Sequence, residues 1–258
     1  MVNLVVGGDS QIGSALSDYW HENNIPFHAT TRNKKMVSDN RLIINLNNID
    51  TFQNLKIYKS AIICAAITDI EECEKNPGRT RKVNVVGTVE LVKQLSKKGT
   101  HVIFLSSNQV FDGQYPMQKP NAPRKPITEY GRQKVEVEVF IEDLSNACIL
   151  RMTKVIHPGM ELLKNWKKSL SNGQPILAFT DLSVSPININ DVIQKVDSLV
   201  QQKANGIFQL SGDKDISYFE YAQEFAVSNG YSEKLVVKDS WKNKLYFIPP
   251  VFTSLVNV

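Results

Sequence analysis

Tyr130 and Lys134, four residues apart in Tyr130-Gly131-Arg132-Gln133-Lys134, lie a short distance after Ser106-Ser107-Asn108. Residues four apart on a helix stack on one face, so a phenol and an ammonium would address the same small volume. A free tyrosine titrates near ~10, and a neighbouring positive charge lowers that value. The expectation is that Lys134 lowers the Tyr130 pKa, letting the phenol pass a proton to or from a substrate oxygen near neutral pH. Ser107, at the end of an apolar run, is placed to hold that oxygen. A Tyr-x-x-x-Lys match alone is weak, because solvated helix faces produce it by chance. The chemistry requires a helix under the pair and a strand that delivers the serine. Thr128 followed by Val135, Val137, Val139 and Ile141 reads as the entry and apolar positions of that helix, and His101 to Leu105 as the strand.

The chain opens with an apolar run, Val2 to Val6, then Gly7-Gly8-Asp9-Ser10-Gln11-Ile12-Gly13, then a helical pattern from Ile12 to Tyr19. Strand, glycine-rich turn and helix in that order make a dinucleotide-binding start. Gly7 permits the tight turn, and Gly13 lets the helix pack close to the sheet. Ser10, Gln11 and Ile12 then carry unpaired helix-start N–H groups toward a pyrophosphate. The spacing fits G-x-x-G-x-x-G, with Ser10 where the middle glycine is expected.

The end of the second strand, read as Pro26 to Thr30, bears on which dinucleotide. NAD-binding chains usually carry an acid there for the ribose hydroxyls. Here the residues are Thr30-Thr31-Arg32-Asn33-Lys34-Lys35, with no acid. That favours a 2′-phosphate and hence NADP(H), with Arg32 as principal partner and Thr31 as a hydroxyl donor.

The remaining runs supply the scaffold. Arg41 to Asn45 reads as a third strand, Ser60 to Ala65 as a fourth, and Ala147 to Arg151 as a sixth. The fourth is nearly continuously apolar, as a buried parallel strand should be. One long helix is expected from Arg79 to Lys97. Alternating strands and helices argue for an α/β fold, a Rossmann-type doubly wound parallel sheet. Residues 1–151 are assigned to that domain. Residues 152–258 are assigned to a smaller substrate lobe, partly interleaved with it. Between Phe111 and Ile127 four prolines exclude regular structure, and the segment is expected to be a flap beside the active site.

Composition agrees. With 42% hydrophobic and 22% charged residues the chain reads as soluble and globular, and no apolar stretch reaches the ~20 residues of a membrane span. The N-terminus lacks the design of an export signal, so a cytoplasmic location is expected. The net charge of +4 is too mild to indicate a nucleic-acid partner, though it suits a phosphate-rich ligand. Three cysteines make neither a disulfide framework nor a zinc pair, and the four histidines are scattered, so no metal is expected. Cys73, among Glu71, Glu72 and Glu74, is expected to resist forming a thiolate.

Together these segments resemble the extended short-chain dehydrogenase/reductase superfamily, and within it the dTDP-4-dehydrorhamnose reductase family, over nearly the whole chain. The resemblance rests on Gly7 to Gly13, on Cys64-Ala65-Ala66-Ile67-Thr68, and on Glu74, Pro77 and Val83-Asn84-Val85-Val86-Gly87-Thr88. It continues through Ser106-Ser107-Asn108-Gln109-Val110-Phe111-Asp112-Gly113, Ile149-Leu150-Arg151, and Phe179-Thr180-Asp181 through Ser185-Pro186. What it implies is hydride transfer from NADPH to the keto carbon of a nucleotide-linked deoxysugar. On that resemblance Tyr130 donates the proton, Lys134 lowers its pKa and holds the nicotinamide ribose, and Ser107 bonds the carbonyl oxygen. Ala65 and Ala66 line the cofactor passage. Thr68, Asn108, Gln109, Val110 and Phe111 are the substrate-side residues, and Asn84 is a structural and cofactor-side residue rather than a catalytic one. Three departures bear on the sugar: Gln109 in place of tyrosine, Cys64 in place of asparagine, and a chain that stops at Val258 where the family usually continues. Two alternatives stay open: a sugar-nucleotide epimerase or dehydratase, and a cofactor-binding regulatory subunit like that of methionine adenosyltransferase. Helices near Val83 to Leu95 and Val135 to Leu144 are the pair such proteins use for homodimers, and a homodimer is an open expectation.

Overall fold

Seven apolar runs pair edge to edge in one parallel sheet in the computed structural model, which describes residues 1–53, 55–242 and 244–258. The first six are β1 (Asn3–Val6), β2 (Phe27–Thr31), β3 (Arg41–Ile43), β4 (Ser60–Ile63), β5 (His101–Ser107) and β6 (Ala147–Met152). Short strands β7 (Lys154–Ile156), β8 (Ile176–Phe179), β9 (Ser183–Val184) and β10 (Pro186–Asn188) follow outside that sheet. The seventh sheet strand, β11 (Gly206–Leu210), pairs with β6, and β12 (Ile216–Ser217) and β13 (Val236–Asp239) complete the set. The sheet order is β11-β6-β5-β4-β1-β2-β3. Strand order therefore reverses between β1 and β4, and ligands of doubly wound sheets bind at the strand ends of such a switch point.

Helices cover both faces because the central strands β1, β4, β5 and β6 bury apolar side chains on both. One face is closed by α4 (Thr88–Lys97) and α5 (Glu129–Glu142), which bring Leu91, Leu95, Val137 and Ile141 onto Leu4, Ile63 and Phe104. The other is closed by α1 (Gln11–Glu22) and α7 (Ile189–Gln202), with Leu16, Trp20, Val192 and Val196 on Val5, Ile62 and Leu150. The buried Trp20 indole donates to Asp197 Oδ1 at 2.8 Å and ties α1 to α7. The C-terminal half thus contributes β11 and α7 to the first layer. A separate cluster, built on Leu163, Trp166, Ala222 and Ala226, packs α6 (Glu161–Ser171) and α8 (Tyr218–Ser228) against β8 and β13.

The helix expected from Arg79 to Lys97 is not uniform. After α2 (Ile70–Lys75), α3 (Pro77–Arg81) passes into a π-helical turn, Lys82–Gly87, before α4 begins. At the turn's last residue, Gly87, a Cβ would lie 1.8 Å from the Leu46 carbonyl oxygen. The helix rides directly on the segment after β3, and the widened turn directs Asn84 inward. Such π turns often mark functional sites.

The proline-rich stretch is irregular, as expected, but it is strapped down, which a freely opening flap would not be. Gln118 N donates to Ser254 O, Val256 N to Gln118 O, and Phe252 N to Gly113 O, while Arg151 Nη1 donates to Pro120 O at 2.8 Å. No helix of the described residues is long and apolar enough to cross a membrane.

Candidate active site

Hydrogen bonds carry the glycine turn from β1 to α1. Gly7 N donates to Thr30 Oγ1 at 2.8 Å and Gly8 N to Thr30 O at 2.9 Å. Gly7 has φ +85°, and a Cβ there would come within 2.7 Å of Ala65 N. A Cβ on Gly13 would lie 2.2 Å from Gly7 O. The turn, the start of α1 and Ala65 after β4 are therefore packed as closely as glycine allows. Ser10 caps α1, its Oγ accepting from Gly13 N at 3.1 Å. A serine in the middle-glycine position thus engages one helix-start N–H itself, with Gln11 exposed, Ile12 half-buried and Ala66 half-buried beside the turn.

The acid missing from the end of β2 is supplied by the glycine turn. Asp9 Oδ2 accepts from Thr31 Oγ1 at 2.6 Å, and its Oδ1 accepts from Arg41 Nη2 at 2.5 Å. Burial opposes the charged form of Asp9, but these bonds and the Arg41 charge hold its pKa below the ordinary carboxylate value. Thr31 is buried, and its hydroxyl also accepts from Asn33 N at 3.0 Å. Thr31, expected as a hydroxyl donor to a phosphate, here donates to Asp9 and pins β2 to the glycine turn. Arg32 fares otherwise, lining a cleft of about 510 Å³ with Asp9, Asn45, Asn47, Ile67 and Arg79. Neither Asn45 and Asn47 nor Arg79 stands out in the sequence, since only the folded sheet brings their loops to one opening.

On the other side of the switch point, β5 ends at Ser107 and α5 begins two residues before Gly131. A Cβ on Gly131 would lie 2.1 Å from Gln109 O, so the start of α5 presses on the turn after Ser107. Thr128 clips both: its Oγ1 accepts from Gly131 N at 3.1 Å and donates to Gln109 Oε1 at 3.3 Å. Ser107 Oγ accepts from Gln109 N at 3.2 Å and faces Asn108 Oδ1 at 3.3 Å. Ser107 and Asn108 remain half-buried, and Thr68 is exposed beyond β4. Val110 and Phe111 are corrected as substrate contacts. Both are almost wholly buried with Leu255, and the Arg151 guanidinium lies over the Phe111 ring.

Tyr130 and Lys134 are both buried on α5, with the ammonium 5.6 Å from the phenol ring centroid. The expected electrostatics are corrected. Burial, assisted by Cys73, pushes the Tyr130 phenol above its ordinary value. Burial also pushes Lys134 down to about 8, against the raising influence of Glu138. The Lys134 ammonium donates to Leu105 O at 2.7 Å and lies over the Phe104 ring. Among the described residues the Tyr130 hydroxyl has no hydrogen-bond partner in the protein, so its proton is uncommitted. Burial likewise raises Cys73 to about 11, with Asp69, Glu129 and Glu72 adding to it.

A polar network that the sequence barely signals holds the two halves together. Asn84, from the π turn, accepts from Ile67 N at 2.8 Å and donates to Ile67 O at 2.9 Å and to Gln133 Oε1 at 2.8 Å. It thereby fixes the loop after β4 against α5, next to Tyr130.

The Lys134 shift carries a pH prediction. The unfolded chain keeps this proton to about pH 10.5 and the folded chain releases it near 8. Between those values the unfolded state binds more protons, so stability rises with pH. Wild type compared with Lys134→Met by urea denaturation should gain at most ~3 kcal/mol across that window and show no trend below it. A flat difference from pH 7 to 10.5 would contradict the shift.

A family model described as the RmlD substrate binding domain matches residues 1–242. A probable low-salt glycan biosynthesis reductase from Haloferax volcanii is 26% identical over 68% of this chain and 61% of its own length. A dTDP-4-dehydrorhamnose reductase from Sinorhizobium fredii is 28% identical over 62% of this chain and 57% of its own. The match therefore spans less than two thirds of either relative. In structure, the dTDP-4-dehydrorhamnose reductase of Bacillus anthracis in complex with NADP superposes with a TM-score of 0.89 at 19% identity, covering 100% of this chain and 92% of that one. That likeness establishes the fold.

Proposed function

Since the chain belongs to the RmlD substrate binding domain family, we propose that it reduces a keto group on a nucleotide-activated deoxysugar with NADPH, in carbohydrate biosynthesis. The observation that carries this reading is the contact of Gln109 on Gly131, which brings Ser107 and Tyr130 to one end of the sheet. The residues present fit a dinucleotide. The Gly7–Ala65 and Gly7–Gly13 approaches leave no room for a side chain along the pyrophosphate path, and the Arg32 cleft opens beside them. Gly7, Ser10, Gln11, Ile12, Gly13, Ala65 and Ala66 would hold the cofactor's diphosphate side, and Arg32 its adenosine end. When bound, the cofactor supplies a hydride equivalent.

The chain's own residues do the rest. Ser107 Oγ donates a hydrogen bond to the substrate carbonyl oxygen, stabilising the negative charge that develops there. Tyr130 delivers its proton to that oxygen as it becomes an alkoxide. A phenol at its ordinary value is protonated at neutral pH, the form a reductase needs, and burial pushes Tyr130 further in that direction. Lys134, anchored on Leu105 O, would hold the nicotinamide ribose beside Tyr130. Thr68, Asn108 and Gln109 flank the sugar.

The test is NADPH oxidation, followed by absorbance, with a panel of nucleotide-linked keto-sugars that includes dTDP-4-dehydrorhamnose and dTDP-4-keto-6-deoxyglucose. Turnover with at least one is expected. Tight NADPH binding without oxidation across the panel would instead favour a cofactor-binding subunit.

A further inference from the structure

The cleft beside the glycine turn carries two guanidinium groups from different elements. Arg32 follows β2, and Arg79 stands on α3, on the far side of the loop after β4. Arg32 makes no ion pair among the described residues. Arg79 is held by one of its N–H groups, Nη1 donating to Glu72 Oε1 at 2.6 Å, and the other Glu72 oxygen accepts from Asn76 Nδ2. A guanidinium has five N–H donors in a planar fork, so most of those of Arg79 stay available. Its side chain is 72% exposed and lines the cleft. The one carboxylate lining the cleft, Asp9, is bonded to Arg41 and Thr31, so its charge is largely compensated locally.

We propose that Arg79 is the second arm, with Arg32, of a two-arginine clamp for the phosphomonoester on the adenosine ribose of a dinucleotide, held in place by Glu72 through one N–H group, with the charge of the cleft's own carboxylate, Asp9, offset by Arg41. This deepens the NADPH reading above and rests on it. The clamp selects for the extra phosphate: a second charged donor adds to NADPH affinity and contributes nothing specific to NADH, which lacks that group. Two donors from separate elements also converge on a tetrahedral anion from two directions, which one surface arginine cannot do.

Calorimetric titration of NADPH and NADH into wild type, Arg79→Ala and Arg81→Ala tests this directly. Arg81 pairs with Glu136 outside the cleft and removes the same net charge, so it controls for long-range attraction. The expected result is roughly tenfold weaker NADPH binding by Arg79→Ala, with NADH binding and the Arg81→Ala protein unchanged. Equal weakening of both dinucleotides, or an NADPH affinity equal to wild type, overturns the clamp while leaving the cofactor reading intact. Failure of wild type to bind either dinucleotide overturns both.

Discussion

Tyr130→Phe is expected to lower kcat by roughly a hundredfold to ten-thousandfold, the range a positioned proton donor contributes. The protein should otherwise be undisturbed. The ring is buried and its oxygen has no hydrogen-bond partner among the described residues, so phenylalanine fills the same space without orphaning a neighbour. Thermal stability should therefore change by less than about 1 kcal/mol, and NADPH affinity should be retained. Parallel measurement of kcat, calorimetric Kd and Tm separates the outcomes. Loss of all three would make Tyr130 a packing residue, and unchanged kcat would remove it from the chemistry.

Glu138→Ala should be the most damaging single change to stability. Glu138 is completely buried one turn beyond Lys134, and three elements converge on it. Arg151 from β6 donates through Nη2 at 2.7 Å and Nε at 3.0 Å, Ser106 from β5 donates through Oγ at 2.5 Å, and Arg124 from the proline-rich loop lies 3.4 Å away. Arg151 is only 1% exposed, so deleting the carboxylate leaves a buried guanidinium without its partner. Breaking such a pair costs about 3–5 kcal/mol, whereas replacing both members by apolar residues is often close to neutral. Urea unfolding should show that loss for Glu138→Ala and substantial recovery for Glu138→Met with Arg151→Met. A loss below ~1 kcal/mol would mean that the pair contributes little. Because Ser106 precedes Ser107 and Glu138 follows Lys134, the same network also sets the alignment of the proposed site.

The parts of this arrangement legible in the sequence are those written in local pattern. Gly7 and Gly13 announce a turn that no other residue fits, Thr128 marks the start of α5, and the apolar runs of β1, β4, β5 and β6 are too continuous for anything but a buried parallel sheet. What escaped depends on contacts between distant segments. The absence of an acid after β2 is true of the sequence but not of the folded site, because Asp9 reaches Thr31 from the preceding turn. Val110 and Phe111 have the composition of a substrate wall, yet Leu255, far along the chain, covers them. The pairing of Tyr130 with Lys134 is local and was readable. Its electrostatics were not, because burial, which a four-residue spacing cannot report, is the largest influence on both groups. The packing of Gly87 on Leu46, at the end of the π turn, is likewise a contact between distant segments.

The most direct test of the account follows the hydrogen itself. NADPH deuterated at the transferable position of its nicotinamide is incubated with the protein and the keto-sugar nucleotide that gives turnover, and the product is analysed by mass spectrometry and NMR. One deuterium per NADPH consumed is expected, bonded to the former carbonyl carbon, with no such product from Tyr130→Phe on the same time scale. NADPH consumption that leaves no deuterium on the sugar, or labelled product formed as fast without the Tyr130 hydroxyl, would contradict it.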